Sequence, residues 1–232
     1  MIDFHSHVLP GIDDGSRSTE ESLALLRTLR EQSVDTVFMT PHFDAMHDTP
    51  ELFLRKRSEA LDRLTGALPA DEGFPRLRVG AEVMYFYGIE RMEALPALCL
   101  EGTRLLLMEM PVAPWSELTV KELIHLSCRG DMILMLAHIE RYFDLQKPIV
   151  WERLLDAGVL MQINASFLTR PQTRRRALRM LRRGEAHLLG SDCHNCKNRP
   201  PLLGEAQEIL CRKLGEDFFA QLNAFSYDLI NN

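Results

Sequence analysis

No stretch of this 232-residue chain approaches the roughly 20 consecutive apolar residues that a bilayer-crossing helix requires. Nor does its N-terminus carry a basic segment followed by an apolar stretch of about 7–15 residues, the pattern of a secretory leader. The expectation is a cytoplasmic protein without membrane insertion. Cysteine is sparse, with five residues at positions 99, 128, 193, 196 and 211. An odd number at irregular spacing is no disulfide framework, so the thiols are expected to be reduced. Excess positive charge is missing too: 27 Lys plus Arg stand against 33 Asp plus Glu, a formal charge of −6. That balance excludes a chain whose main task is covering nucleic-acid phosphates, as does the absence of aromatic residues interleaved with basic ones. It leaves room for a local basic pocket. No internal repeat, low-complexity tract or shift of composition marks a boundary, and an apolar content of 46% can fill one core. A single domain over 1–232 is expected.

What is present is a rhythm. Apolar runs of about five to eight residues alternate with amphipathic stretches of about 10 to 18, the pattern of βα units around a parallel sheet. Seven strands are predicted, over 2–5, 34–41, 77–83, 104–110, 132–139, 159–165 and 187–191. Ser18-Thr19-Glu20-Glu21 reads as a capping box, and Thr49-Pro50-Glu51 as an N-cap followed by proline in the first helical turn. The helix from about 50 to 65 should turn Phe53, Ala60, Leu61 and Leu64 toward the sheet.

The chemistry collects where these strands end. The first delivers His5 and His7, one residue apart and so on one face, with Asp14 in the loop that follows. The second ends at Thr40-Pro41-His42, the third at Glu82, the fourth at Glu109 and the fifth at His138, with Arg141 just beyond. The sixth offers only Asn164 and Ser166; the seventh ends in Asp192 and His194, with Arg199 following. A lone His or Glu after a strand is ordinarily a hydrogen-bonded loop residue. Their joint placement at the carboxyl ends, where an α/β barrel assembles its active site, points to a multinuclear metallohydrolase. A catalytic zinc uses about three protein ligands, so this set suits two or three ions sharing bridging carboxylates. The six positive charges of three divalent ions would exceed the four negative charges of Asp14, Glu82, Glu109 and Asp192, which favours a phosphate dianion. Nitrogen and oxygen ligands without thiolate suit manganese, iron or zinc.

The stretches DFHSHVLPGIDDG, TPH, GAE, AHIERY and GSDCHN with the later RPP resemble the polymerase and histidinol phosphatase (PHP) superfamily over nearly the whole chain. More narrowly, they are similar to the bacterial manganese-dependent protein-tyrosine phosphatases that accompany the tyrosine kinases of capsule and exopolysaccharide assembly. The resemblance implies a distorted (β/α)7 TIM-like barrel. It implies one ion on His5, His7, Glu82 and Asp192, a second on Asp14, His42 and His194, and a third on Glu82, Glu109 and His138, with Glu82 as the bridge. Manganese is the first choice of metal, with iron or zinc as alternatives. Arg141 and Arg199 match the family's phosphate-binding arginines, whose planar forks suit bidentate contact. The implied reaction is in-line attack by metal-bound hydroxide on a phosphotyrosine protein, namely a bacterial tyrosine kinase. A phenolate leaving group with a pKa of about 10 needs little protonation, whereas a serine or histidinol alkoxide would need an acid. Asp13 could take the place of Asp14.

Other readings stay open at this point. Cys193 and Arg199 are spaced C-x5-R, the signature of cysteine-dependent tyrosine phosphatases, although Pro200-Pro201 obstructs the helix that should follow. Cys193 and Cys196 form a C-x2-C without a second pair. Seven arginines between Arg170 and Arg183 suggest a solvated helix face or, alternatively, a surface for an acidic partner tail. The rival functions are another PHP phosphomonoesterase, such as a histidinol phosphatase, and a non-enzymatic, metal-stabilised, kinase-binding scaffold.

Overall fold

The computed structural model describes residues 1–70 and 72–231. Among these, the strands are β1 (Ile2–Ser6), β2 (Thr36–Met39), β3 (His42–Phe43), β4 (Arg76–Val79), β5 (Glu82–Met84), β6 (Leu105–Glu109), β7 (Ile133–Leu136), β8 (Leu160–Asn164) and β9 (Leu188–Gly190). The helices are α1 (Thr19–Glu31), α2 (Pro50–Thr65), α3 (Glu117–Ser127), α4 (Pro148–Asp156), α5 (Ala165–Thr169), α6 (Pro171–Arg182), α7 (Leu203–Leu214) and α8 (Glu216–Asn231). Every strand pairing is parallel, so all strands present their carboxyl ends in one direction. One sheet has the order β1-β2-β4 and the other β3-β5-β6-β7-β8-β9. The segment after β9 returns to β1: Asp192 N–H donates to His5 O at 2.8 Å and His7 N–H to Cys193 O at 2.9 Å. The fold is mixed α/β, with its parallel sheet curled into a half-barrel.

The strand expected over 34–41 is β2 alone; Pro41 has no N–H to give the ladder, and β3 begins beyond it at His42. The one expected over 77–83 becomes β4 and β5, following its neighbour: β2 pairs with β4 in one sheet, β3 with β5 in the other. The division sets the register that matters most, placing His42 beside Glu82. In the next pairing Met84 stands opposite Glu109.

Alternation along the strands creates two apolar cores. Leu105 and Leu107 of β6 join Met135 of β7, Phe4, Phe38 and Ile230 in the smaller. The intervening Leu106, Met108, Leu134 and Leu136 join the larger, with the helices. The helix signals hold as well. Ser18 accepts from Glu21 N–H and Thr49 from Leu52 N–H, and Phe53, Ala60 and Leu64 of α2 are buried. Glu21, however, turns its carboxylate to Arg17 N–H at 3.0 Å, one residue before the cap, so the capping box is not reciprocal.

Candidate metal centre

Each side chain of the cluster is set by a strand end. His5 is the penultimate residue of β1, and His7 follows that strand. Both are buried, with their Nε2 atoms 3.1 Å apart. Glu82 opens β5, and its carboxylate lies at the centre of the group. Its Oε2 is 3.1 Å from His5 Nε2, 3.2 Å from His7 Nε2 and 3.1 Å from His42 Nδ1, while its Oε1 is 2.8 Å from His138 Nε2. Glu109, ending β6, comes within 3.4 Å of His138 and 3.9 Å of His42. Asp192 Oδ1 lies 3.7 Å from His5 Nε2 and 3.5 Å from His7 Nε2. Asp14 Oδ1 lies 3.3 Å from His42 and 3.4 Å from His194.

Such separations suit ligands around an ion. Metal bonds of about 2.0–2.2 Å set neighbouring ligand atoms roughly 3–3.6 Å apart. Four overlapping groups have their ligand atoms within 4.8 Å of one another: His7, Asp14, His42 and His194; His5, Glu82 and His138; His5, His7 and Asp192; His42, Glu82 and Glu109. All nine expected residues fall into these groups. Two of the ligand atoms also lack other employment: Glu82 Oε2 and His42 Nδ1 are buried without a hydrogen-bond partner. Orphaned polar atoms in an interior are costly, and cations at this position would satisfy them. The residues present therefore fit a multinuclear divalent site.

Electrostatics gives the same answer. Burial alone would discharge His7, yet the hydrogen bond to Asp13 and the neighbouring Glu82 carboxylate raise its pKa to about 10. His5 is raised likewise against its burial, by Glu82 and Asp192. Glu109 is pushed up to about 7 by burial and by the charge of Glu82. Burial lowers His42, His138 and His194 instead, keeping them in the neutral form in which an imidazole ligates, while Glu82 and Asp192 stay ionised below the usual carboxylate range, a donor set suited to divalent ions.

Surrounding residues hold the cluster in place. Asp13 accepts from His7 Nδ1 at 2.7 Å, His42 N–H at 3.1 Å and Gly15 N–H at 3.0 Å. Its pKa falls to about 2, the bond from His7 overcoming its burial. Asp13 thus orients ligands from behind, whereas Asp14, 65% exposed, faces the group itself. Gln162, on the inside of β8, was not expected from sequence. Its Oε1 accepts from His138 N–H at 2.7 Å and lies 3.3 Å from His5 Nδ1, and its amide donates to Asn164 Oδ1 at 3.0 Å. Asn164 in turn donates to Asp192 Oδ2 at 2.8 Å. A glutamine inside the apolar run of β8 was the available signal, since a buried amide requires partners. His138 and Asp192 have φ of 31° and 50°, in the left-handed region that non-glycine residues rarely adopt, so the chain holds two candidate ligands under backbone strain. Close approach also demands glycine. A Cβ at Gly190 would sit 2.6 Å from His5 Cβ, and one at Gly15 would sit 2.4 Å from His7 Cβ.

Both arginines stand at the mouth. Arg141 Nη2 donates to Asp192 Oδ2 at 2.6 Å and Nη1 to Glu109 at 3.2 Å. Arg199 Nη2 lies 2.6 Å from Asp192 Oδ1, with Nη1 2.7 Å from His194 Nε2. Their side chains remain 36% and 38% exposed, so the forks reach solvent as well as the cluster.

The cysteine alternative fails on the same loop. Cys193 is buried, and burial pushes its thiol far above its ordinary pKa. The N–H groups that should cradle a phosphate are already used. His194 and Asn195 donate to Arg199 O, Lys197, Asn198 and Arg199 donate to Asn195 Oδ1, and Cys193 donates to Ser191 Oγ. Two histidines outside the pattern are engaged elsewhere: His47 pairs with Asp44 at 2.7 Å, and His187 Nδ1 accepts from Met161 N–H at 3.0 Å.

Asp13→Asn should weaken divalent-metal affinity by about 10- to 100-fold, because an amide nitrogen would face the His7 and His42 donors. Competitive titration against a metal chelator measures this, and an unchanged affinity would remove Asp13 from its supporting role.

A parallel α/β sheet carrying a histidine–carboxylate cluster and two arginines at its carboxyl ends is the architecture of a metal-dependent hydrolase. The chain belongs to the family of capsular polysaccharide synthesis proteins CpsB/CapC, whose model matches residues 1–227. Tyrosine-protein phosphatase CpsB of Streptococcus agalactiae serotype III is 31% identical over 241 residues, covering 96% of this chain and 94% of that protein. Tyrosine-protein phosphatase YwqE of Bacillus subtilis is 26% identical over 238 residues, covering 100% and 92%. A solved structure from work on YwqE of Bacillus subtilis and CpsB of Streptococcus pneumoniae, described as unique metal-dependent tyrosine phosphatases, superposes with a TM-score of 0.85. It covers 100% of this chain and 95% of its own at 24% identity, a likeness of fold.

Proposed function

We propose that this protein is a metal-dependent protein-tyrosine phosphatase acting on a bacterial tyrosine kinase of capsule or exopolysaccharide synthesis. It works as a single PHP-type domain, the two sheets forming one distorted (β/α)7 barrel, in the cytoplasm. The observation that carries the reading is the convergence of nine nitrogen and oxygen ligands with two arginine forks on one cleft. The chain's membership of a family whose relatives are named tyrosine-protein phosphatases supports the substrate class. In this reading His5, His7, Glu82 and Asp192 would hold one ion, Asp14, His42 and His194 a second, and Glu82, Glu109 and His138 a third. The ions are two or three in number, manganese first. When bound, they supply Lewis acidity toward the phosphoryl oxygens and lower the pKa of water.

The chain's own residues do the rest. Arg141 and Arg199 grip the equatorial phosphoryl oxygens and orient the ester for in-line displacement. Asp13 and Gln162 fix the imidazoles so that the cleft needs no rearrangement as charge develops. No cysteine takes part. Cys193→Ser should therefore keep most of the wild-type turnover with Mn²⁺ present. A dead Cys193→Ser with full metal content would restore the thiol mechanism.

Phosphate release from a phosphotyrosine peptide, from p-nitrophenyl phosphate and from histidinol phosphate, each with Mn²⁺, tests the substrate assignment. The first two should be hydrolysed faster than the third, since a phenolate departs with little protonation whereas an alkoxide needs an acid. Preferred turnover of histidinol phosphate would move the chain to the other PHP phosphomonoesterases. No turnover of any of the three would leave the scaffold reading.

A further inference from the structure

The arginine-rich helix is not used by the chemistry above. Helix α6 carries Arg174, Arg175, Arg176, Arg179 and Arg182, with Arg170 before it and Arg183 after. Three of these seven are engaged. Arg174 donates to Leu168 O and Thr169 O, Arg176 pairs with Asp144, and Arg183 lies 3.6 Å from Glu185. Arg175, Arg179 and Arg182 are exposed and have no ion pair or side-chain hydrogen bond among the described residues. They line a groove between α6 and the end of α7, where Lys213 adds another unpaired cation, with Leu178 and Leu214 also in its wall. Spacings of three and four residues place Arg175, Arg179 and Arg182 along one side of the helix.

In a chain of net charge −6, this concentration is a local inversion of sign. It also adjoins the active site. Arg170 lines the cavity that contains Arg141, Asp192 and Arg199, and the next residue, Pro171, lines the basic groove. A strand of substrate leaving the cleft at Arg170 meets α6 directly. The helix is about 18 Å long, the span of roughly five or six extended residues.

We propose that the α6–α7 groove binds acidic residues flanking the phosphotyrosine of the substrate, as a specificity site separate from the phosphate-binding arginines. The inference rests on the phosphatase reading. A peptide suits the surface better than an anionic membrane does. The cations line a groove, and none of the exposed large apolar side chains among the described residues, such as Met46, Tyr87, Val112 or Leu118, lies on α6 or α7 to enter lipid.

The test compares two phosphotyrosine peptides, one with Glu-rich flanks and one with Ser in their place, on wild-type protein and on R175E/R179E/R182E. Binding is read by fluorescence anisotropy and hydrolysis by phosphate release with Mn²⁺. Wild type should prefer the acidic peptide by about ten-fold, through Kd and KM and not kcat, since exposed ion pairs contribute little singly and add over three sites. The preference should shrink with rising salt. It should vanish or reverse in the triple Glu variant and survive in R175K/R179K/R182K, while p-nitrophenyl phosphate turnover stays unchanged in both. Equal binding of the two peptides by wild type, or a preference that outlasts charge reversal, overturns the proposal. So does arginine-dependent co-sedimentation with phosphatidylglycerol vesicles in a protein without peptide preference. Absence of turnover on every ester, with the binding preference intact, would sink the phosphatase reading and leave the groove standing.

Discussion

Glu82→Ala is expected to release at least one metal ion and to lower kcat by several orders of magnitude. Glu82 is 1% exposed and approaches four imidazoles, those of His5, His7, His42 and His138. Its two oxygens serve different neighbours, Oε1 meeting His138 and Oε2 the other three. Losing it therefore takes the common member from two ligand groups at once. An end ligand such as Asp14, more exposed and a member of one group, should cost less. Misplacing the activated water forfeits both its lowered pKa and its alignment, which are separately large effects. Chelation with EDTA should abolish turnover of the intact protein and added Mn²⁺ should restore it. Elemental analysis decides the bridging role: a Glu82→Ala protein with an unchanged metal count removes it.

Arg199→Ala should bind as many ions as the wild type but lose about ten- to 150-fold in kcat/KM on phosphotyrosine peptides, and Arg141→Ala should behave alike. The range follows from roughly 1.5–3 kcal/mol for a hydrogen bond to a charged group, at about 1.4 kcal/mol per tenfold in rate. Lysine at 199 should recover only part, since a single ammonium cannot match a two-pronged fork. Unchanged kcat/KM in both alanine variants would mean that neither side chain touches the substrate.

Much of this site could be read from the linear chain because its members are charged or imidazole groups at the ends of apolar runs, where little else explains them. His5, His7, Glu82, Glu109, His138, Asp192 and His194 are of that kind. The supporting amides were harder to see. Gln162 is uncharged and enclosed by its strand, so only its cost of burial betrays it. Asp13 and Asp14 could not be separated because neighbours in a turn point different ways, and that orientation emerges only with His7 Nδ1 in place. The separate β3 beyond Pro41 and the division of 77–83 between Val79 and Glu82 were hidden because hydrophobic patterning is blind to a change of partner. Nothing in the sequence foretold the left-handed backbone of His138 and Asp192, which is imposed by the surrounding structure.

Asp192 is gripped from both sides, Arg141 on one oxygen and Arg199 on the other, while its Oδ1 also faces His5 and His7. Cation loading and anion capture consequently draw on the same carboxylate and cannot be independent equilibria. If inorganic phosphate tightens the hold on a cation by some factor, the cation must tighten the hold on phosphate by the same factor. Product inhibition and metal retention are then two readings of one coupling constant, and saturating phosphate should tighten metal affinity by the factor by which saturating metal tightens phosphate affinity.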